Sequence, residues 1–434
     1  MTVDLKADDH SRTMVKVTWR LIPLIIVSFI VAYIDRSNVA FAALTMNRDL
    51  GFTAYVYGAG AGIFFLGYAL FEIPSNLILE RVGARRWISR IMITWGVISA
   101  LMAMVSGPIS FLTMRFLLGV AEAGFFPGII LYFTYWFPTR YRARVNSALF
   151  VAVPVSNAVA GVASSAMLGL NGAFGLKGWQ WIFVGEAVPA VLLGVAVFKL
   201  LTDGPEQATW LREEEKAWLK GELRAERMQV ERLGSLGLAQ ALADRRVVLL
   251  AIIWFLSQVP TFGVTFFLPQ IVKGLGVSNT MTGLLTAVPY VVGAAGPLLW
   301  GYSSDRRLER RWHFLIALVL AAFGLFGAGI WYGTYWALLA MSVATVGIYG
   351  SKPCMWSMPS QFLSGTGLAV GIALISSIGS LGGYLGPFVV GWIKDSTRSF
   401  ELALFFLAAC TLSSLLLAYS AKNATAGPRS GVSS

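Results

Sequence analysis

Apolar residues dominate this chain in long runs, broken at short intervals by clusters of charge. A helix that crosses a bilayer needs about 20 mostly apolar residues, and runs of that length fall at 18–42, 57–79, 87–106, 109–134, 143–168 and 179–201. A polar block follows, and then runs at 247–272, 281–302, 312–331, 334–358, 366–392 and 400–420. Lipid offers no hydrogen bonds to open backbone, so the runs read as helices. The pattern predicts an all-α polytopic membrane protein with about twelve spans in two sets of six. Its divisions are a tail at 1–17, a six-helix half at 18–201, a central loop at 202–246, a second half at 247–420 and a tail at 421–434.

Composition agrees. Of the 434 residues 56% are hydrophobic and 13% charged, with a mean hydropathy of +0.69; a soluble chain carries roughly 25% charged residues. The net charge of +12 raises nucleic acid as a partner. However, no basic patch interleaved with aromatics is present, and the bases sit in short segments between the runs. Lys6, Arg12, Lys16 and Arg20, Arg81 to Arg90, Arg140 to Arg144, and Arg306 to Arg311 lie on one side, against Arg48, Lys177, Lys273, Lys394 and Arg398 on the other. The positive-inside rule then places both termini in the cytoplasm. Cys354 and Cys410 lie in separate apolar runs, and His10 and His313 are far apart, so no disulfide framework, metal site or cofactor is expected. The N-terminus lacks an apolar core followed by a small-residue cleavage site, which excludes a signal peptide.

The central block opens Asp203-Gly204-Pro205-Glu206 and continues as an amphipathic helix from Trp210 to Leu219. It reads as a linker along the cytoplasmic surface, with a regulatory docking site as the other reading. The halves echo each other. Gly301-Tyr302-Ser303-Ser304-Asp305-Arg306 follows the eighth run, and Asn76 to Glu80-Arg81 follows the second. In each, an acid and an Arg sit in the turn between the second and third spans of a half, where they could latch the facing bundle. Positive-inside charge alone is the plainer reading.

Ionisable residues inside the runs carry the chemistry, because each costs about 2.5–3.5 kcal/mol on insertion. The candidates are Asp35, Arg36, Glu72, Arg115, Glu122, Glu186 and Lys352. Arg115 and Glu122, seven apart, point the same way about two turns from each other, with Gly119 between them leaving room beside the backbone. Guanidinium groups suit carboxylates through planar paired hydrogen bonds. A desolvated carboxyl is driven toward its neutral form, while a neighbouring Arg holds it charged. With Asp35 and Glu122 ionised, each can occupy an Arg; protonation would free Arg36 and Arg115 for an anion, coupling proton to substrate. Glu72 reads as a cap or partner within the first half, and Glu186 as a helix anchor. Gln258, Thr261 and Thr265 form one stripe of the seventh run, of the kind that lines a cavity between halves. Trp356 and Tyr349 are candidate aromatic walls. Lys352 leaves three readings open: a further cation for the substrate, a side chain snorkelling to an interface, or a partner for an acid.

Twelve spans with the Gly-x-x-x-Asp-Arg turn resemble the major facilitator superfamily. Tyr33-x-Asp35-Arg36-x-Asn38, Arg115 to Glu122, Phe71 to Asn76, Gly178-Trp179-Gln180-Trp181-Ile182-Phe183, and Pro359 to Gly365 with the Gly-rich run 371–391 together resemble its anion:cation symporter family. The resemblance implies a proton-coupled symporter importing an organic anion by alternating access, with no cofactor beyond the proton. In it Arg36 and Arg115 hold the anion, Asp35 and Glu122 carry protons, and Tyr68 lines the site. Bacterial permeases of that family imply an inner-membrane location; a monomer in lipid, with the small anion as partner, is the default. Ser376 and Ser380 replace the Asn that such relatives often carry, which tilts the reading away from a hexonate. An exchanger or facilitator without proton coupling is the alternative, followed by a neutral-sugar carrier. No nucleophile, base or metal set supports an enzyme.

Overall fold

A computed structural model describes residues 2–232, 244–307, 309–359, 363 and 365–421. Among these residues the secondary structure is helical, without strands. The first half contains α1 (Thr2–Leu50), α2 (Ala54–Val82), α3 (Ala84–Leu101), α4 (Pro108–Glu122), α5 (Phe125–Trp136), α6 (Thr139–Leu168) and α7 (Gly178–Leu200). Helix α8 (Glu213–Arg232) follows, and the second half is made of α9 (Arg245–Lys273), α10 (Asn279–Gly293), α11 (Ala295–Arg307), α12 (Arg311–Ile330), α13 (Tyr335–Ser357), α14 (Gly365–Thr397) and α15 (Glu401–Ser420). Helices α4 and α5 form one bent span, as do α10 and α11. Eleven spans among the described residues are long and apolar enough to cross a membrane. The twelfth, α13, has 23 residues and so the length to cross at 1.5 Å per residue, but Ser342, Thr345, Ser351 and Lys352 lower its apolar content.

The bundle has the polarity expected of a protein dissolved in lipid. Ile109, Phe323, Leu70 and Leu416 project outward, each more than 60% exposed. Small and polar side chains such as Ser156, Ser164, Thr282 and Thr345 are buried between helices. The halves meet most closely toward the end remote from the termini, called here the far end. There α2 packs on α14: a Cβ on Gly58 would stand 2.3 Å from the Pro387 carbonyl oxygen, and one on Gly391 2.2 Å from that of Ala54. Helix α6 packs equally closely on α10, where a Cβ on Gly283 would stand 2.2 Å from the Gly161 carbonyl oxygen. Only residues without side chains permit such backbone contact. Asp395 of α14 locks the same seam by accepting hydrogen bonds from the Ala54 and Tyr55 backbone N–H groups at 3.0 and 2.8 Å, a carboxylate on the positive end of α2.

At the near end the segment expected as a tail continues helix α1, which spans 49 residues, about 70 Å at helical rise. Its first turns lie against α8. His10 stacks on Trp218 with ring centroids 4.2 Å apart, and Lys16 pairs with Glu215 at 3.0 Å. Trp210 stacks on Trp136 at 5.4 Å, and Arg142 pairs with Glu226 at 3.1 Å. The expected amphipathic helix therefore exists but starts at Glu213 instead of Trp210, with Leu219 buried on it and Leu211 buried in the bend before it, and it is strapped to the first half.

Candidate functional site

A cavity enclosing about 100 Å³ lies at mid-depth between the halves. Arg36, Tyr33 and Tyr68 reach it from the first half, and Gln258, Lys352 and Trp356 from the second. Thr261 and Thr265 complete the stripe on α9, and Tyr349, Ser376 and Ser380 also line the wall. Among the described residues two cations border the cavity, Arg36 from one half and Lys352 from the other, and no acid does.

Arg36 is held by four side chains. Its Nη2 donates to Glu122 Oε1 at 2.8 Å, and its guanidinium lies 4.9 Å from the Tyr33 ring, 5.2 Å from Phe64 and 5.3 Å from Tyr68. Aromatic faces stabilise a cation where water is scarce. Saturation is incomplete, since Arg36 Nε and Glu122 Oε2 are buried without hydrogen-bond partners among the described residues. Glu122 reaches this position because the fourth span breaks just after it. Helix α4 ends at Glu122, and Gly124 takes φ = 85°, a left-handed conformation that favours glycine. A Cβ there would also strike Ser75 Oγ at 2.3 Å. Ser75 in turn donates to the Ala123 carbonyl at 2.7 Å, satisfying backbone freed by the break. Broken helices at mid-membrane commonly mark transport sites.

Arg115 does not border the cavity. It is fully buried, donating to the Gly60 and Ala61 carbonyls of α2 at 3.2 and 3.4 Å. The room expected beside Gly119 is taken by α2, since a Cβ on Gly119 would lie 2.0 Å from the Phe64 carbonyl oxygen. Arg115 thus braces α2 in this conformation, and its distance from the cavity follows from this close helix contact. Asp35 likewise forms no ion pair with an Arg. Ser99 donates a short hydrogen bond to it, and Asn38 Nδ2 donates at 3.3 Å. Asn38 belongs to this interior network and is fully buried, away from the cavity wall.

Lys352 neither snorkels nor pairs with an acid. It is 7% exposed, donates to Gln258 Oε1 at 2.9 Å, and its Nζ lies 4.9 Å from the Trp254 ring. Glu72 departs from the within-half reading: Ser376 of α14 donates to its Oε1 at 3.2 Å across the halves. Sequence reasoning missed Trp254 and Asn157. The latter donates to Tyr349 Oη at 3.0 Å, also across the halves; a polar residue within an apolar run was the available signal.

The first of the two turns between second and third spans forms no latch of the expected kind among the described residues. Glu80 and Arg81 are exposed and form no ion pair with any described residue; Asp203 takes that place, accepting from the Arg85 backbone N–H at 2.7 Å. In the second half Arg306 is exposed, and His313 bridges Glu309 and Ser303 at 2.9 Å each. The Asp305 side chain lies outside the described residues, as do Ser360, Gln361, Phe362 and Ser364 of the Pro359 motif.

The sequence profile described as Major Facilitator Superfamily matches residues 25–387 and again 250–432. A protein of Agrobacterium vitis named "Putative tartrate transporter" is 50% identical over 94% of this chain and 91% of its own. A quinolone resistance transporter of Acinetobacter baumannii is 41% identical over 93% of each chain. Among solved structures, a bacterial homologue of the human lysosomal transporter Spinster, inward-facing and occupied, superposes with a TM-score of 0.74 at 16% identity, covering 93% of this chain and 96% of that one. With an all-helical fold of two halves around a central cavity, the chain belongs to the major facilitator superfamily, as a membrane transporter and not an enzyme.

Proposed function

We propose that this protein is a secondary active transporter that moves a small organic anion together with protons by alternating access. The cargo is a mono- or dicarboxylate, with a compact tartrate-like diacid fitting best. One observation carries the reading: among the described residues the cavity wall presents a cation from each half and no acid. A dianion bound between Arg36 and Lys352 would draw the halves together, which is what an occluded state requires. The 50% identical relative named for tartrate supports a diacid.

Proton coupling follows from the Arg36–Glu122 pair. While Glu122 is charged it occupies Arg36. Adding a proton to Glu122 removes the ion pair and leaves the guanidinium to a substrate carboxylate, so proton and anion favour each other's binding by linkage. Asp35, next to Arg36 in sequence, is the second proton site. Arg115 acts through α2, as a brace that contributes positive field without contact. The basic near end faces the cytoplasm under the positive-inside rule, with both termini on the cytoplasmic side of a bacterial inner membrane. The far-end seam of α2 with α14 and α6 with α10 then closes the outer gate. The site lies within one chain, so a monomer suffices.

The test is a thermal-shift screen of purified protein against tartrate, phthalate, hydroxyphenylacetate and galactonate, followed by counterflow in proteoliposomes with and without an imposed pH gradient. Stabilisation by an acid and gradient-driven accumulation are expected. Stabilisation by a neutral sugar or an amine, with none by any organic anion, would refute the assignment; counterflow without gradient-driven accumulation would leave an exchanger or facilitator.

A further inference from the structure

The first half buries another acid that this scheme does not use. Glu186 of α7 is 4% exposed. Its Oε1 accepts from Ser164 of α6 at 2.6 Å, and its Oε2 is buried with no hydrogen-bond partner among the described residues. The groups facing it come from three helices. From α1 come Asp35, which acts on it electrostatically, and Asn38, whose side chain lies within hydrogen-bonding range; from α6 comes Ser164. Ser99 of α3 stands behind them, bonded to Asp35. None is a cation. Arg36 and Arg115 are engaged with Glu122 and the α2 carbonyls, and toward the far end Lys177 and Arg48 pair with Asp49 at 3.5 and 3.9 Å.

An ionised carboxylate held by one hydroxyl and a neighbouring amide, with no cation, is an expensive group to bury. A proton on Glu186 removes the charge and supplies a hydrogen where one is missing. Asn38 Oδ1 is also buried without a partner, so one Glu186 O–H can satisfy two orphan oxygens. Asn38 meanwhile donates its Nδ2 to Asp35 Oδ1 at 3.3 Å. Asn38 lies one turn from Asp35 on the same helix face and so tethers the two acids to each other. Their order along the membrane normal is also set. The Trp179 indole donates to Asp49 at 3.2 Å, which puts α1 and α7 at a common level near the far end. Asp35 lies roughly four turns below that level and Glu186 roughly two.

We propose that Glu186 is a third proton-carrying carboxyl of the transport cycle, in series with Asp35, to which Asn38 tethers it, on a path that bypasses the substrate cavity. A proton enters at Glu186 Oε2 from the far end. As it passes inward, the Glu186 O–H bond breaks, an O–H bond forms on an Asp35 carboxylate oxygen, and the negative charge moves back to Glu186. The pair therefore holds at most one charge at a time, as closely coupled acids do. The place of this relay in the cycle rests on the proton-coupled reading above; the proton on Glu186 does not.

Infrared difference spectroscopy of the full chain in lipid, without substrate, decides the second point. At neutral pH, Glu186→Gln is expected to lose one neutral-carboxyl C=O band, and Asp35→Asn to shift the pH at which that band disappears. An unchanged carboxyl region in Glu186→Gln overturns the proposal. Should that variant not fold, Asn38→Ala gives the same reading: the band must move as the O–H loses its acceptor, and a band that stays in place overturns the proposal. In proteoliposomes with L-tartrate as probe, the ratio of gradient-driven accumulation to counterflow is expected to fall about tenfold in Glu186→Gln, and an unchanged ratio removes Glu186 from the relay. If the wild type carries no tartrate, the substrate reading fails while the infrared result stands on its own.

Discussion

Replacing Lys352 by Met keeps the length of the side chain and removes its charge, which isolates the contribution of the second half to the cargo. The ammonium now donates to Gln258 at 2.9 Å and lies against the Trp254 ring. A bound carboxylate would replace Gln258 as its acceptor. At a separation of about 4 Å and an effective dielectric near 20, the gross attraction is about 4 kcal/mol. Giving up the Gln258 bond and the residual solvation reduces this to the range of a hydrogen bond to a charged group, about 1.5–3 kcal/mol. That corresponds to roughly 10- to 150-fold in affinity. The loss should fall on diacids alone, since a monoacid gripped by Arg36 does not need the second cation. The assay is competition against labelled L-tartrate by a diacid and by its monoacid analogue, in Lys352→Met and in wild type. Gln258 is left without its donor whichever acid binds, so that cost cancels in the ratio. Lys352→Arg should recover part of the loss, because charge is retained while geometry is not. Equal weakening of both acids, or of neither, would refute the idea that Lys352 meets a second carboxylate.

Three further outcomes follow from the same structure. Glu122→Gln should leave Arg36 permanently available, so that anion affinity loses its pH dependence and gradient-driven accumulation disappears; accumulation with unchanged proton dependence would remove Glu122 from coupling. Asp395→Ala removes two charge-assisted bonds to the N-terminus of α2, worth about 1–2 kcal/mol at a partly exposed site. Spin-label distances across the α2–α14 far end should then shift toward an open population by roughly 5- to 30-fold, and an unaltered distribution would show that the glycine seam alone holds the gate. The Glu215 carboxyl is held below the usual carboxylate range. Its burial works the other way but is outweighed by the Arg212 backbone N–H and by Lys16. Such a group stabilises the folded α1–α8 junction above the unfolded value near 4.3 and loses that contribution as pH falls through the lowered value. Hydrogen exchange in α8 should therefore accelerate in acid, and a Lys16→Met variant should show less of that acceleration.

The spans were legible because lipid leaves a chain few choices. A run of twenty apolar residues must close its backbone hydrogen bonds within itself, so length and hydropathy suffice to place helices. Buried charges were legible for a related reason: at such cost, Asp35, Arg36, Glu122 and Lys352 had to face the interior. The partners were not legible. Periodicity put Arg115 and Glu122 on one face, yet Glu122 bends inward to Arg36 at the break after α4, while Arg115 is trapped by α2. That difference turns on a single left-handed glycine, Gly124, and on the close approach at Gly119. Residue spacing within one helix carries no information about how near its neighbour comes.

The sequence by itself determined the solvent, the approximate number of spans, the division into halves and the residue types that can meet an anion. Local rules govern all of these: transfer energies, helix length and the chemistry of guanidinium and ammonium groups. Only the tertiary structure decided that Arg36 and Lys352 border one cavity, that Asp35 answers to Ser99 and Asn38, that Glu72 reaches across to Ser376, and that Glu186 lies in the interior with no cation beside it. Each of these depends on contacts between residues far apart in the chain, and such contacts are set by how closely small residues let the helices approach.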